Sequence, residues 1–290
     1  MITTFLLFYA CGSVTTTSYT PGSELNPASS DGTQSAPQDY RERGPWAVHQ
    51  SSQDIPASCS METFLFEPDG HSELPLVVLG HGFARSAKQL TGWAEHLASW
   101  GFTVAVPQLC RSNFWNADHE INGDDMVVIG EVLGASEVVY AGHSAGGLSA
   151  FIGAALDPAA IGVIGLDATD ADGMGLSYAA QLSVPALGLV AEPSDCNADC
   201  NGYDLFSHTA DAVAVRVNDT DHCDYESFTD WMCTWFCQNL DAEFADAELH
   251  STIQGLMTAA AFEVSTGPTG WWQQGGFYDA LLLEGRITPL

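Results

Sequence analysis

The sequence predicts an α/β protein: a doubly wound, mostly parallel sheet with helices packed on both faces. Short apolar runs rich in β-branched residues recur at 76–79, 103–106, 137–141, 161–166, 186–190 and 212–217, and such runs read as strands buried on both faces. Helix-period segments lie between them. In residues 87–100, Leu90, Trp93, Ala94 and Leu97 fall at i, i+3, i+4 and i+7, one apolar stripe of an amphipathic helix. The chain has 290 residues, 46% of them hydrophobic, enough to bury a large core and incompatible with wholesale disorder. Strand–helix alternation of this kind builds parallel βαβ units.

Taken in order, residues 1–11 are apolar and end in Ala10-Cys11, the outline of a signal or lipoprotein-type leader in which Cys11 would carry a lipid. Residues 12–42 are rich in Ser, Thr, Pro and Gly without a period and read as a flexible tether. The folded domain is expected at 43–290. Residues 63–66 are a strand closed by the turn Glu67-Pro68-Asp69-Gly70, and 76–79 a buried strand running into Gly80-His81-Gly82-Phe83. The helix 87–100 is capped by Gly101, and Pro107 stops the strand 103–106. Residues 110–122 read as a polar loop carrying Phe114 and Trp115, followed by a helix over 124–133. After 137–141 comes a helix at 148–156, stopped by Asp157-Pro158, and 227–262 is mostly helical.

Charge and cysteine content narrow the function classes. Acidic residues number 37 against 7 Lys and Arg, a formal net charge of −30. That excludes the basic face that nucleic-acid binding needs and disfavours adhesion to anionic membranes. Eight cysteines without a C-x₂-C pair argue for disulfides in an exported protein rather than a zinc site. With Cys11 set aside seven remain, so at least one thiol lies outside any intradomain pairing. Local bridges are expected within Cys196/Cys200 and Cys223/Cys233/Cys237, and a long-range one between Cys59 and Cys110.

The chemistry centres on Gly142-His143-Ser144-Ala145-Gly146-Gly147. A G-x-S-x-G run between a strand and a helix is a nucleophile elbow, in which the serine sits on a sharp turn and needs glycines two positions either side. A hydroxyl becomes a nucleophile when a base takes its proton and an acid orients that base. In this architecture acid and histidine follow the serine in that order. Three histidines follow Ser144: His208, His222 and His250. Only His222 lies just past a strand. Asp167, at the end of 161–166, and Asp195, after 186–190, are the two positions for the acid. Two backbone N–H groups should form the oxyanion hole, those of Phe83 and Ala145. Phe114 and Trp115 are the candidate substrate contacts. Asn197-x-Asp199-x-Asn201-Gly202 matches half of a calcium loop, but its twelfth position is His208 rather than a glutamate, and no metal or cofactor is expected.

At this point the chain resembles the α/β-hydrolase superfamily, and within it the chlorophyllase, cutinase-like polyester hydrolase and platelet-activating-factor acetylhydrolase-like group. The resemblance rests on His81-Gly82-Phe83, Val104-Ala105-Val106-Pro107-Gln108-Leu109, Gly165-Leu166-Asp167, Ser183-Val184-Pro185-Ala186-Leu187 and His222-Cys223-Asp224. It implies the α/β-hydrolase fold, no cofactor, and a triad of Ser144, Asp167 and His222; the polyester hydrolases place the acid one strand later, at Asp195. Ala145 and Ala168-Thr169 depart from the chlorophyllase pattern, so chlorophyll is not carried over as substrate. The expected activity is cleavage of carboxylic esters through an acyl-enzyme, on a small-molecule, lipid or polymer ester. The alternatives are polyester or phospholipid-acetyl cleavage on the same triad, or a surface-binding module that keeps the fold without catalysis. The protein is expected to be monomeric and exported, either secreted or lipid-anchored at a bacterial cell envelope.

Overall fold

The structure, a computed structural model, describes residues 38–70, 73–238 and 242–290. The leader, Cys11 and most of the tether lie outside the described residues. Residues 38–42, which the composition assigns to the tether, are part of the domain. Tyr40 is buried and stacks on Phe262 with ring centroids 5.1 Å apart, and the Gln254 side chain donates to the Arg41 carbonyl.

Among the described residues nine strands form one sheet: β1 (Val48–Pro56), β2 (Ser60–Pro68), β3 (Leu76–Gly80), β4 (Thr103–Pro107), β5 (Val138–His143), β6 (Ala160–Leu166), β7 (Ala186–Val190), β8 (Ala212–Val217) and β9 (Ile287–Pro289). Their spatial order is β1-β2-β4-β3-β5-β6-β7-β8-β9. The six strands from β4 to β8 pair in parallel, whereas β1, β2 and β9 are added antiparallel at the edges. This is the α/β-hydrolase fold, a mostly parallel sheet covered on both faces.

Period-2 alternation divides the strand side chains between two cores. Val77, Leu79, Val139 and Ala141 join one, with Trp93 and Leu97 of α1 (Thr91–Ser99), Ile253 and Leu256 of α7 (Asp246–Thr266) and Leu281 of α8 (Gly276–Leu283). Leu76, Val78, Val138 and Tyr140 join the other, with Met126 and Ile129 of α2 (His119–Leu133), Phe151 of α3 (Ala145–Leu156) and Phe206 of α5 (Tyr203–Ser207). Two shorter helices, α4 (Leu176–Ala179) and α6 (Trp231–Cys237), complete the set.

The structure differs from the sequence expectation in definite places. Helix α2 starts five residues earlier than expected, at His119, because the Asp118 carboxylate accepts from the Ile121 N–H and caps it. Strand β1 has no apolar alternation to announce it: only Ile55 is buried, as suits an outer strand. The helical stretch expected over 227–262 is two helices, α6 and α7. Among the described residues the disulfides are Cys59–Cys110, Cys196–Cys237 and Cys223–Cys233. Cys196 therefore reaches across to α6 rather than closing a local loop with Cys200. The buried Cys200 thiol lies 3.5 Å from the Ala191 carbonyl.

Candidate active site

The turns at the carboxyl ends of β3, β5, β6, β7 and β8 converge at one end of the sheet, where strand order reverses and ligands bind in doubly wound folds. Ser144 joins β5 to α3 with φ 56° and ψ −129°, a conformation L-residues avoid. It persists because its surroundings fix it: the Ser144 N–H donates to the Leu166 carbonyl, and its carbonyl accepts from Gly147 and Thr169. The flanking glycines are required by contact. A Cβ on Gly142 would lie 2.2 Å from the Gly146 oxygen, and one on Gly146 would lie 2.3 Å from the Gly80 oxygen.

Asp167 ends β6 and is buried. Its Oδ2 lies 2.6 Å from His222 Nδ1. Its Oδ1 accepts from the Ala191 N–H at 2.9 Å, and Asn197 Nδ2 lies 3.3 and 3.2 Å from its two oxygens. These donors hold the carboxylate in one orientation against the imidazole. Asp195 is exposed on the turn before Asn197. His222 opens a short 3₁₀ turn that follows β8, and Asp221 caps this turn by accepting from the N–H groups of Cys223 and Asp224. His208 follows the end of α5, and His250 lies within α7, stacked on Trp93.

Ser144 Oγ lies 3.4 Å from Thr169 Oγ1. Nε2 of His222 makes no hydrogen bond among the described residues. The Ser144 hydroxyl thus rests on Thr169 rather than on His222, and hydrogen bonds between a serine and a neighbouring base are often long in ligand-free structures.

The Phe83 N–H is fixed through its own peptide unit. His81 Nδ1 donates to the Gly82 carbonyl at 2.9 Å, and the Arg85 N–H donates to the same oxygen. Because a trans peptide points its N–H opposite its C=O, Phe83 N–H is turned away from both. Burial holds His81 near pKa 4, hence neutral, and its Nε2 accepts from the Leu109 N–H and the Gln108 side chain. Ala145 is the first residue of α3, so its N–H is an unused helix-start donor. Neither Phe83 nor Ala145 donates its backbone N–H to an acceptor among the described residues. The Gly82 turn packs directly on the elbow, since a Cβ there would lie 3.0 Å from Ser144 Cβ.

Beneath the histidine is a buried polar chain that no motif signals. His143 Nε2 donates to the His222 carbonyl at 2.9 Å, and the two imidazoles lie 4.5 Å apart. Burial, with His222 and Arg85 close by, keeps His143 neutral, well below the ordinary imidazole range. Its Nδ1 lies 4.0 Å from Glu226, which is fully buried and paired with Arg85 at 2.5 and 2.6 Å. Arg85 also reaches Asp230 at the start of α6.

Phe114 packs edge-to-face on Phe83, centroids 4.9 Å apart, while Trp115 is 96% exposed. Phe114 also lines a cavity of about 510 Å³ beside the Cys59–Cys110 disulfide and Arg85. The residues of the half calcium motif are engaged elsewhere. Asn197 Oδ1 accepts from the Ser194 and Cys200 N–H groups, and Asn201 bonds both backbone groups of Asp170. The sulfurs of Cys223, Cys233 and Cys237 lie within 4.8 Å of one another. All three are in disulfides, so none is a thiolate that could hold a metal.

Residues 40–180 match the family model described as Chlorophyllase. The matched span holds the His81-Gly82-Phe83 turn, the Ser144 turn and Asp167, and ends before the turn that carries His222. No curated protein matches the chain.

Proposed function

We propose that this member of the α/β-hydrolase group is a serine carboxylic-ester hydrolase. The chlorophyllase match supports ester hydrolysis, and the observation that carries the serine mechanism is the 2.6 Å bond between Asp167 and His222 beside the strained elbow of Ser144. On substrate binding, Ser144 Oγ leaves Thr169 for Nε2 of His222. As Oγ attacks the ester carbon, Nε2 takes its proton, and Asp167 stabilises the resulting imidazolium. The oxyanion accepts from the N–H groups of Phe83 and Ala145, each donor contributing about 3 kcal/mol in the transition state. Collapse passes the proton to the leaving alcohol and leaves an acyl-serine. Water, deprotonated by His222, then releases the acid and restores the hydroxyl.

Three disulfides are typical of exported proteins and, with the apolar leader, support export; Cys11 is then a site for a lipid. No described helix is long and apolar enough to cross a membrane. The reading is tested with p-nitrophenyl esters of graded chain length, alongside amides and polyester films. A pre-steady-state burst of p-nitrophenol that disappears in Ser144→Ala supports it, and an undiminished rate in Ser144→Ala overturns it.

A further inference from the structure

Helix α6 has the sequence Trp-Met-Cys-Thr-Trp-Phe-Cys, and not one of its residues is buried. Trp231 is 75% exposed, Trp235 74% and Phe236 69%. Apolar helices are ordinarily held by burial of a face. This one is held by covalent and ionic staples. Cys233 is bonded to Cys223, next to His222, and Cys237 to Cys196, next to Asn197. Asp230, its N-cap, pairs with Arg85 of the oxyanion loop. At about 100° per residue the two cysteines point one way, Trp231/Trp235 point roughly opposite, away from the body, and Met232/Phe236 lie about 100° to one side of the cysteines. The staples thus fix an aromatic face outward, against the turns that carry the base and support the acid.

The same end of the sheet carries the exposed Phe83–Phe114 pair and Trp115, because the turns after β3, β4 and β8 all leave carboxyl ends of parallel strands. Charge selects the occupant. Residues 231–238 carry no charged side chain in a chain of net charge −30, and the neighbouring Glu226 and Asp230 share Arg85, which offsets one of their two charges. Exposed tryptophans on a short helix suit a lipid–water boundary, and the acidic remainder is repelled by anionic headgroups.

We propose that α6, with the Phe83–Phe114 rim, docks the enzyme on lipid surfaces of no net charge, so that its substrates are esters presented at such a surface. The proposal rests on the ester-hydrolase reading for its substrate but is tested without turnover. Full-length oxidised protein and its Ser144→Ala variant are sedimented with phosphatidylcholine vesicles, and with vesicles containing phosphatidylglycerol. Both proteins should partition onto phosphatidylcholine and less onto the anionic vesicles, with tryptophan emission quenched by brominated acyl chains. The Trp231→Ser/Trp235→Ser/Phe236→Ser variant should lose about tenfold or more in partition, since its aromatic area no longer leaves water. If that variant fails to fold, Trp235→Ser alone, with the quenching of the wild type, reads the same surface.

Wild-type protein that stays in the supernatant, unquenched, overturns the proposal, as does a folded variant that binds like wild type or a preference for anionic vesicles. Adsorption to polyester film without vesicle binding, or a solution dimer that the triple variant abolishes, would replace lipid as the occupant. Fluorophosphonate labelling of Ser144 reports the hydrolase reading separately. Labelling without vesicle binding refutes the surface alone, and vesicle binding without labelling refutes the hydrolase alone.

Discussion

Asp167→Asn separates the two candidate acids and has a magnitude that follows from the contacts. In Asp167, Oδ1 receives the Ala191 N–H and shares the Asn197 amide, whereas Oδ2 faces His222 Nδ1. An asparagine keeps its carbonyl oxygen on the Ala191 N–H, so its NH₂ faces Nδ1. A donor there forces the imidazole proton onto Nε2, and the nitrogen that should take the serine proton then has no lone pair free. The shape is unchanged, so folding should be nearly intact. The expected loss is about 10³–10⁴ in kcat/KM, about 4–5 kcal/mol of transition-state stabilisation. The assay is kcat/KM on a soluble short-chain ester, with thermal unfolding as a check. Asp195→Asn, at an exposed carboxylate, should stay within about twofold of wild type. An Asp167→Asn enzyme within about tenfold of wild type, or an equal loss in Asp195→Asn, would refute the reasoning.

Three further outcomes follow from the buried polar groups. Asn197→Ala leaves the Glu192 carbonyl and the Ser194 and Cys200 N–H groups without their side-chain partner; urea unfolding should show a loss of at least about 2 kcal/mol, and kinetics a fall in kcat greater than any change in KM. Glu226→Ala strands the guanidinium of Arg85 with only the half-exposed Asp230 and should cost about 3–5 kcal/mol, with Glu226→Gln milder, as read by denaturant midpoints. Burial and the nearby Asp221 carboxylate raise Asp224 from 3.8 to about 7. Between those values the folded state holds more protons than the unfolded chain, so this group makes stability fall as pH rises from about 4 to 7. Asp224→Asn should therefore raise Tm over wild type at pH 8, with the difference vanishing below pH ~4. His81 and His96, lowered by burial to about 4, act in the opposite sense as pH falls from about 6.5, so the comparison is made at each pH; a difference independent of pH refutes the assignment.

The central strands were legible because burial on both faces demands continuous apolar runs, and the residues at their carboxyl ends could be read from position. Ser144, His222 and Phe83 were picked out as candidates in this way; position left both Asp167 and Asp195 as the acid, the resemblance favoured Asp167, and it is Asp167 that lies 2.6 Å from His222 Nδ1. Strand β1 was not, because an outer strand with exposed polar faces carries no alternation, and β9 is three residues long. Asn197 was visible only as part of a calcium-like spacing; its role in holding Asp167 depends on the turn after β7. Thr169 stood out as a departure from the chlorophyllase pattern, with nothing to say that its hydroxyl meets Ser144. The Arg85–Glu226 pair spans 141 positions, a separation at which sequence pattern carries no signal. Of the disulfides, Cys59–Cys110 and the local Cys223–Cys233 were expected, whereas Cys196 pairs across 41 residues with a helix that sequence could not dock.

The central claim is that Ser144 is a nucleophile activated in place by its neighbours. It is tested most directly by treating the oxidised protein with a fluorophosphonate and mapping the adduct by peptide mass. The account predicts a single adduct on the peptide holding Ser144, with ester hydrolysis lost in proportion to labelling and labelling slowed in Asp167→Asn. No adduct on the folded protein, or an adduct on another serine while Ser144→Ala keeps its turnover, would contradict it.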